Sequence, residues 1–112
     1  MAATSERFQL VLTTAGSEEQ ARSIARGLVD RRLAACVSII PQACSVYRWK
    51  GEVQEEDEKL LLIKTAQRLF PRVREAIREL HTYDVPEVLA LSVQDGDESY
   101  LAWLAECLDG EG

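Results

Sequence analysis

The sequence predicts an α+β fold, a single antiparallel sheet with helices on one face. Three observations predict it. Strand-like and helix-like periodicities alternate as strand, helix, strand, strand, helix, strand and a last helix over 112 residues, a length for one domain. The central stretch "SVYRWKGEVQEEDEKLLLIKT", residues 45 to 65, turns back on itself at a Lys-Gly pair, so the two middle strands form a hairpin. Each outer strand is joined to that hairpin by a helix, and right-handed crossovers then produce a split β-α-β arrangement.

Each element has a local reason. "FQLVLTT", Phe8 to Thr14, is apolar and β-branched and reads as a strand. Ser17 with Gln20 three positions on has the spacing of a capping box. Behind it Ala21, Ile24, Ala25, Leu28 and Val29 form one apolar helix face, while Glu18, Glu19, Arg22, Arg26 and Asp30 form a solvated one. "LAACVSII", Leu33 to Ile40, begins the second strand, Pro41 interrupts it, and "ACSVYRW" resumes it. Gly51 supplies positive φ at the turn. The returning strand "EVQEEDEKLLLIKT" is polar first and continuously apolar from Leu60 to Ile63, which predicts a projecting charged half and a central half buried on both faces.

The second helix carries Leu69, Val73, Ala76, Ile77 and Leu80 on one face, with Pro71 in its first turn, where the missing N–H costs nothing. "HTYDVPE" is a loop, because Pro86 pushes Val85 towards extended backbone. Val88 to Val93 forms a fourth strand, and Asp97 caps a last helix bearing Tyr100, Leu101, Leu104 and Leu108. The whole is a ferredoxin-like βαββαβ unit with an extra C-terminal helix and a long β2–β3 hairpin.

That hairpin is too long for its own subunit. A strand from about Ala34 to Trp49 covers roughly 50 Å, whereas a domain of about 100 residues has a radius of gyration near 13 Å. The strand must bend, at Pro41, and reach outwards. Its edge bears Val37, Ile39, Val46, Tyr47 and Trp49, an aggregation hazard unless covered. Closed symmetric assembly covers it; the alternative is a cover by the C-terminal helix.

Composition sets the outer limits. Hydrophobic residues make up 46% and charged residues 29%, a globular balance, and no apolar run approaches the roughly 20 residues of a membrane span. Met1 to Arg7 lack the apolar core of a signal peptide, so a cytoplasmic location is expected. The net charge of −6 and the lack of a basic cluster argue against nucleic acid as partner. Cys36, Cys44 and Cys107 have no framework spacing and are expected as reduced thiols.

Five motifs occur in order: "RLAACVSIIP" at Arg32–Pro41, "SVYRWKGEV" at Ser45–Val53, "EKLLLIKT" at Glu58–Thr65, "HTYDVPE" at His81–Glu87 and "SYLAWL" at Ser99–Leu104. Together they resemble the CutA family of divalent-cation-tolerance proteins, over about residues 8 to 108. The resemblance implies a homotrimer assembled through the extended hairpins, similar to PII-type signalling proteins, and a role in tolerance of copper and other divalent metals. In some members copper ligands are a thiol at the end of the first strand and paired histidines. The matching positions here are Thr13, Leu80 and His81, and Thr82 replaces the proline usual after that histidine. A tight copper site is therefore not expected. Weak metal binding by Cys36, Cys44, Cys107 and His81, or by the acidic cluster at residues 55 to 58, is the residual expectation, with no required cofactor.

The residues also suggest a ligand-binding cleft. Lys64 and Thr65 end the third strand, His81 to Glu87 form the loop into the fourth, and the first strand between them would floor a groove with Thr13 and Thr14. Tyr47 and Trp49 would close it from a neighbouring subunit, making a composite pocket of Tyr47, Trp49, Lys64, Thr65, His81, Tyr83 and Glu87. Lys64 would attract an anionic group and His81 would make binding pH-dependent. An enzyme using His81, Lys64 and Glu87 is the alternative, although the sequence has no nucleophile elbow, Gly-rich phosphate loop or paired-carboxylate motif. A structural reading also stands: His81 capping the second helix, Glu87 pairing with Lys64, and the aromatics as interface packing in a structural or partner-binding trimer.

Overall fold

The structure, a computed structural model, describes residues 6–110. Met1 to Ser5, most of the segment expected to lack a signal peptide, lie outside the described residues. The elements are β1 (Phe8–Ala15), α1 (Glu18–Asp30), β2 (Cys36–Trp49), β3 (Glu52–Ala66), a 3₁₀ turn (Gln67–Leu69), α2 (Phe70–Leu80), β4 (Leu89–Ser92) and α3 (Glu98–Cys107). The four strands form one antiparallel sheet in the order β2-β3-β1-β4. This is the ferredoxin-like α+β arrangement, with β2 at an edge and β1 between β3 and β4.

Helix α1 starts where the sequence says it should, with Ser17 Oγ accepting from the Gln20 N–H at 3.1 Å. The other half of the capping box does not close. Gln20 Nε2 donates instead to the Leu80 carbonyl at 2.9 Å, so one residue serves both helices, its backbone N–H at the start of α1 and its side chain at the end of α2. Asp97 caps α3 as expected, accepting from the Tyr100 N–H at 3.1 Å. Pro71 lies in the first turn of α2.

The core lies between one sheet face and the helices. Val11, Ala15, Leu61 and Ile63 meet Ala21, Ile24 and Leu28 of α1 and Val73 and Ile77 of α2, with Leu104 and Leu108 completing the packing. Two apolar positions depart from the expected faces. Val29 is exposed at the end of α1, and Tyr100 is exposed on α3, its ring tilted against that of Trp103 with centroids 5.6 Å apart.

The apolar run of β3 is covered on one face only. Leu61 and Ile63 are buried beneath the helices, whereas Leu60 and Leu62 on the opposite face are half-buried. Cross-strand pairing sets Leu62 beside Leu12, Leu12 beside Leu89 and Leu10 beside Leu91. The open face is thus a continuous apolar surface, with Leu89 56% and Leu91 51% exposed. Two-sided burial needs something beyond this subunit.

The hairpin bends where Pro41 stands. Ile40 pairs with Leu60 and Ala43 with Glu58, so Pro41 and Gln42 oppose Lys59 alone, a β-bulge. One extra residue flips the alternation beyond it. Cys36 shares a face with Lys64, while Cys44 shares the other face with Asp57. The two-residue turn Lys50-Gly51 has φ of 50° and 83°, both positive as a type I′ connection requires. The arm makes the molecule 52 × 24 × 22 Å with a radius of gyration of 14.9 Å. Helix α3 does not cover it. The end of α3 is anchored before β2 begins, with Arg32 Nη1 reaching the Cys107 carbonyl and Asp109 N–H donating to the Arg32 carbonyl, and from Ile40 to Trp49 most of the arm is exposed.

Candidate functional site

Beyond the bulge, Ser45, Tyr47 and Trp49 share one face of the arm with their partners Glu56, Gln54 and Glu52. The loop between α2 and β4 comes round the end of β1 to face them. Between arm and loop lies a cleft of about 650 Å³, with Tyr47, Trp49, Glu56 and Glu58 on one side and Tyr83 and Glu87 on the other. Ser45, Gln54, Thr14, Thr82, Asp84 and Val85 complete its walls.

His81 holds the loop in place. Its Nε2 lies 2.6 Å from the Thr14 carbonyl and its Nδ1 lies 3.0 Å from the Tyr83 backbone N–H. A carbonyl only accepts and an N–H only donates, so Nε2 carries the proton and Nδ1 accepts: the neutral Nε2–H tautomer. Both ring nitrogens are used within the chain, and the ring packs on Tyr83 with centroids 4.5 Å apart. Its backbone N–H continues the helix bonding to the Ile77 carbonyl. His81 therefore braces β1 and the loop; it is not a cleft wall, and the α2 carbonyl at Leu80 is capped by Gln20 in its place.

Tyr83 reaches from the loop to β3. Its hydroxyl donates to Glu58 Oε2 at 3.0 Å. Gly16 makes room, since a Cβ there would stand 2.9 Å from the Tyr83 oxygen. Burial first, then the bond to the Glu58 carboxylate and the charges of Glu58 and Glu56, push the Tyr83 hydroxyl up to about 12. Tyr47 is also raised, chiefly through hydrogen bonding to Glu56. Glu58 is 6% exposed, although it belongs to the strand's charged half, which was expected to project.

Lys64 and Thr65 are not part of this cleft. Lys64 lies on the open sheet face, its Nζ 2.6 Å from Ser38 Oγ and 3.7 Å from Cys36 Sγ. Six residues of strand separate it from Glu58, roughly 20 Å. Thr65 points to the opposite, helix-covered face, fully buried, with its hydroxyl donating to the Leu33 carbonyl at 2.6 Å. The two adjacent residues alternate sides, so no single groove can hold both. Of the threonines expected to floor the groove, Thr14 lines the cleft while Thr13 is fully buried in the core.

The expectation that Tyr47 and Trp49 need a neighbour's cleft is also corrected. They meet Tyr83 and Glu87 of their own chain, because the bulge turns their face towards the loop. Glu56, Glu58 and Asp84 were missed as wall residues. The signal for Glu56 and Glu58 was present in period-two alternation once one bulge residue at Pro41 is counted.

The candidate metal ligands are scattered. Cys36, Cys44 and Cys107 are free, Cys36 and Cys44 on opposite sheet faces and Cys107 at the end of α3. Among the described residues no group of three or more His, Cys, Asp or Glu side chains converges as a metal site. His81, the one histidine expected as a metal ligand, has both nitrogens engaged.

Known proteins share this architecture. Residues 9–107 match the family described as CutA1 divalent ion tolerance protein. The chain is 52% identical over 98 residues to the divalent-cation tolerance protein CutA of Thermus thermophilus, covering 88% of this chain and 95% of that one. It is 45% identical over 93 residues to human protein CutA, of which it spans 52% of the length. The Thermus thermophilus structure superimposes with a TM-score of 0.89 at 50% identity, over 91% of this chain and 99% of that one. CutA1 from Oryza sativa gives 0.92 at 38% identity, over 95% and 97%. With the family profile and these relatives spanning the sheet, the hairpin and the loop, the chain belongs to the CutA1 divalent ion tolerance family.

Proposed function

We propose that this divalent-cation-tolerance protein acts as an assembled binding module, a homotrimer of signalling type whose clefts hold a small ligand. The observation that carries the reading is the cleft between hairpin arm and loop. Its volume of about 650 Å³ falls in the range of small-molecule sites, roughly 300 to 1,000 Å³. Aromatic walls and a few fixed polar groups supply the usual mixture of contact area and orientation. The loop is braced by His81 and by the Tyr83–Glu58 bond, so the site is largely formed before a ligand arrives.

The apolar surfaces support the assembly in this reading. Leu89, Leu91 and Ile40 on the open sheet face, with Val46 and Val53 on the arm, are all exposed in one subunit. Exposed apolar side chains on the open sheet face and on the opposite face of the arm fit surfaces that a neighbouring subunit covers, and closed symmetry would cover the β2 edge at the same time. Metal binding, in this reading, is weak and spread over the thiols, and tolerance of divalent cations comes through the ligand that the cleft senses.

The direct experiment is unbiased mass spectrometry of small molecules retained by gently purified protein. A recurring organic ligand supports the binding module. Stoichiometric copper and no organic ligand would replace it with direct metal handling.

A further inference from the structure

We infer that the cleft between the hairpin arm and the 82–87 loop takes a small organic cation, an aliphatic ammonium or guanidinium compound of the polyamine type; the inference rests on the ligand-binding reading and names its chemical class. The walls carry four carboxylates, Glu56, Glu58, Asp84 and Glu87, and no lysine, arginine or histidine. This reverses the anionic ligand that Lys64 was expected to attract, since Lys64 lies elsewhere on the sheet.

Glu58 adds burial to the count of charges. Only 6% of it is exposed, and it opens onto the cleft. Its hydrogen bond is from the neutral Tyr83 hydroxyl, and it takes part in none of the four ion pairs among the described residues. A largely buried carboxylate whose bond comes from a neutral hydroxyl leaves room for a charge-assisted bond from a cation. A ligand cation supplies that bond from the cleft side.

The aromatic walls narrow the class further. Tyr47, Trp49 and Tyr83 offer ring faces that attract ammonium and guanidinium groups and cover methylene segments. A bare metal ion fits less well, because the carboxylates do not converge on one point as a coordination group. Separated charges beside apolar contact area match a cation whose own charges are spaced along a hydrocarbon chain.

The test is calorimetric titration of the full chain, in its solution assembly and at low salt. Spermidine and tetramethylammonium serve as cation probes, with citrate and ATP as anion probes. Saturable binding of the cations alone is expected. Glu58→Gln and the exposed Glu87→Gln should each weaken it about tenfold, while Glu98→Gln on α3 should not change it. Tighter binding of the anions would overturn the cationic class and leave the ligand-binding cleft standing. Cation binding unchanged in both Glu58→Gln and Glu87→Gln would overturn its place in this cleft. Failure of every probe, with Arg48→Ala or Lys50→Ala dissociating the assembly, would mean that a second copy's basic side chain fills the site. Failure of every probe with the assembly intact, and no retained molecule by mass spectrometry, would overturn both readings.

Discussion

The Tyr83 hydroxyl donates to the Glu58 carboxylate at 3.0 Å, tying the loop after α2 to a strand 25 residues earlier in the chain. The bond passes over Gly16, where a Cβ would stand 2.9 Å from the same oxygen. One contact therefore fixes both the height of the loop and the orientation of the most buried carboxylate in the cleft.

Alkaline stability should report this contact. Tyr83 has a pKa raised from 10.0 to about 12, so the folded chain holds the proton more tightly than the unfolded one. Its contribution is fully present below pH 10 and is lost as pH rises towards 12. Urea midpoints for the parent should decline across that window, and Tyr83→Phe should decline less steeply. Some slope should persist, because Tyr47 is raised as well. Parallel curves for parent and variant would show that the Tyr83–Glu58 bond is absent in solution.

His81→Ala removes two bonds that the loop needs, to the Thr14 carbonyl and from the Tyr83 N–H. At about 0.5–1.5 kcal/mol for each, the expected loss of stability is roughly 1–3 kcal/mol. Amide exchange at Tyr83 should quicken while exchange in the α1 core stays slow. Unaltered protection at Tyr83 would mean that the brace is not formed.

Light scattering during gel filtration at low micromolar concentration should give three subunit masses. Val46→Asp on the arm, 62% exposed in the single subunit, and Leu91→Asp on the open sheet face should each shift the protein to smaller species. Either would bury a charge without a partner at an interface. A parent chain that ran as a clean monomer would remove the case for assembly.

Copper(I) titrated against a competing chelator should bind modestly, through soft thiol ligands. Because Cys36, Cys44 and Cys107 lie on different surfaces, each single Cys→Ser change should cost only part of the binding. His81→Ala should leave it almost unchanged, since both imidazole nitrogens already have partners. A tight site abolished by His81→Ala alone would show that the loop rearranges to bind metal.

The order of strands and helices was legible in the sequence because it is written in short-range patterns. Period-two and period-3.6 spacing, Ser17, Asp97, Pro71 and the Lys50-Gly51 turn each act within a few residues. The need for a bend followed from strand length, and Pro41 marked its place because proline has no N–H to give the ladder. The five ordered motifs were enough to indicate the family. The cleft was legible only in part: the aromatic tip and the 81–87 loop were recognised, but not which of them face each other.

Tertiary structure decided that, through strand register; Pro41 marked the bend in the sequence, but not the exchange of faces that it brings. The bulge adds one residue between Ile40 and Ala43 and so exchanges the faces of everything beyond it, which turns Tyr47 and Trp49 towards Glu58 and the loop of their own chain. The alternation of β3 then sends Lys64 to the open face and Thr65 into the core, although the two are adjacent in sequence. The role of His81 was set in the same way. A sequence shows a residue able to titrate or bind metal, but the Thr14 carbonyl that engages it is 67 residues away and arrives only when the sheet is assembled. Local periodicity determines which elements form; the register between distant strands determines which side chains share a site.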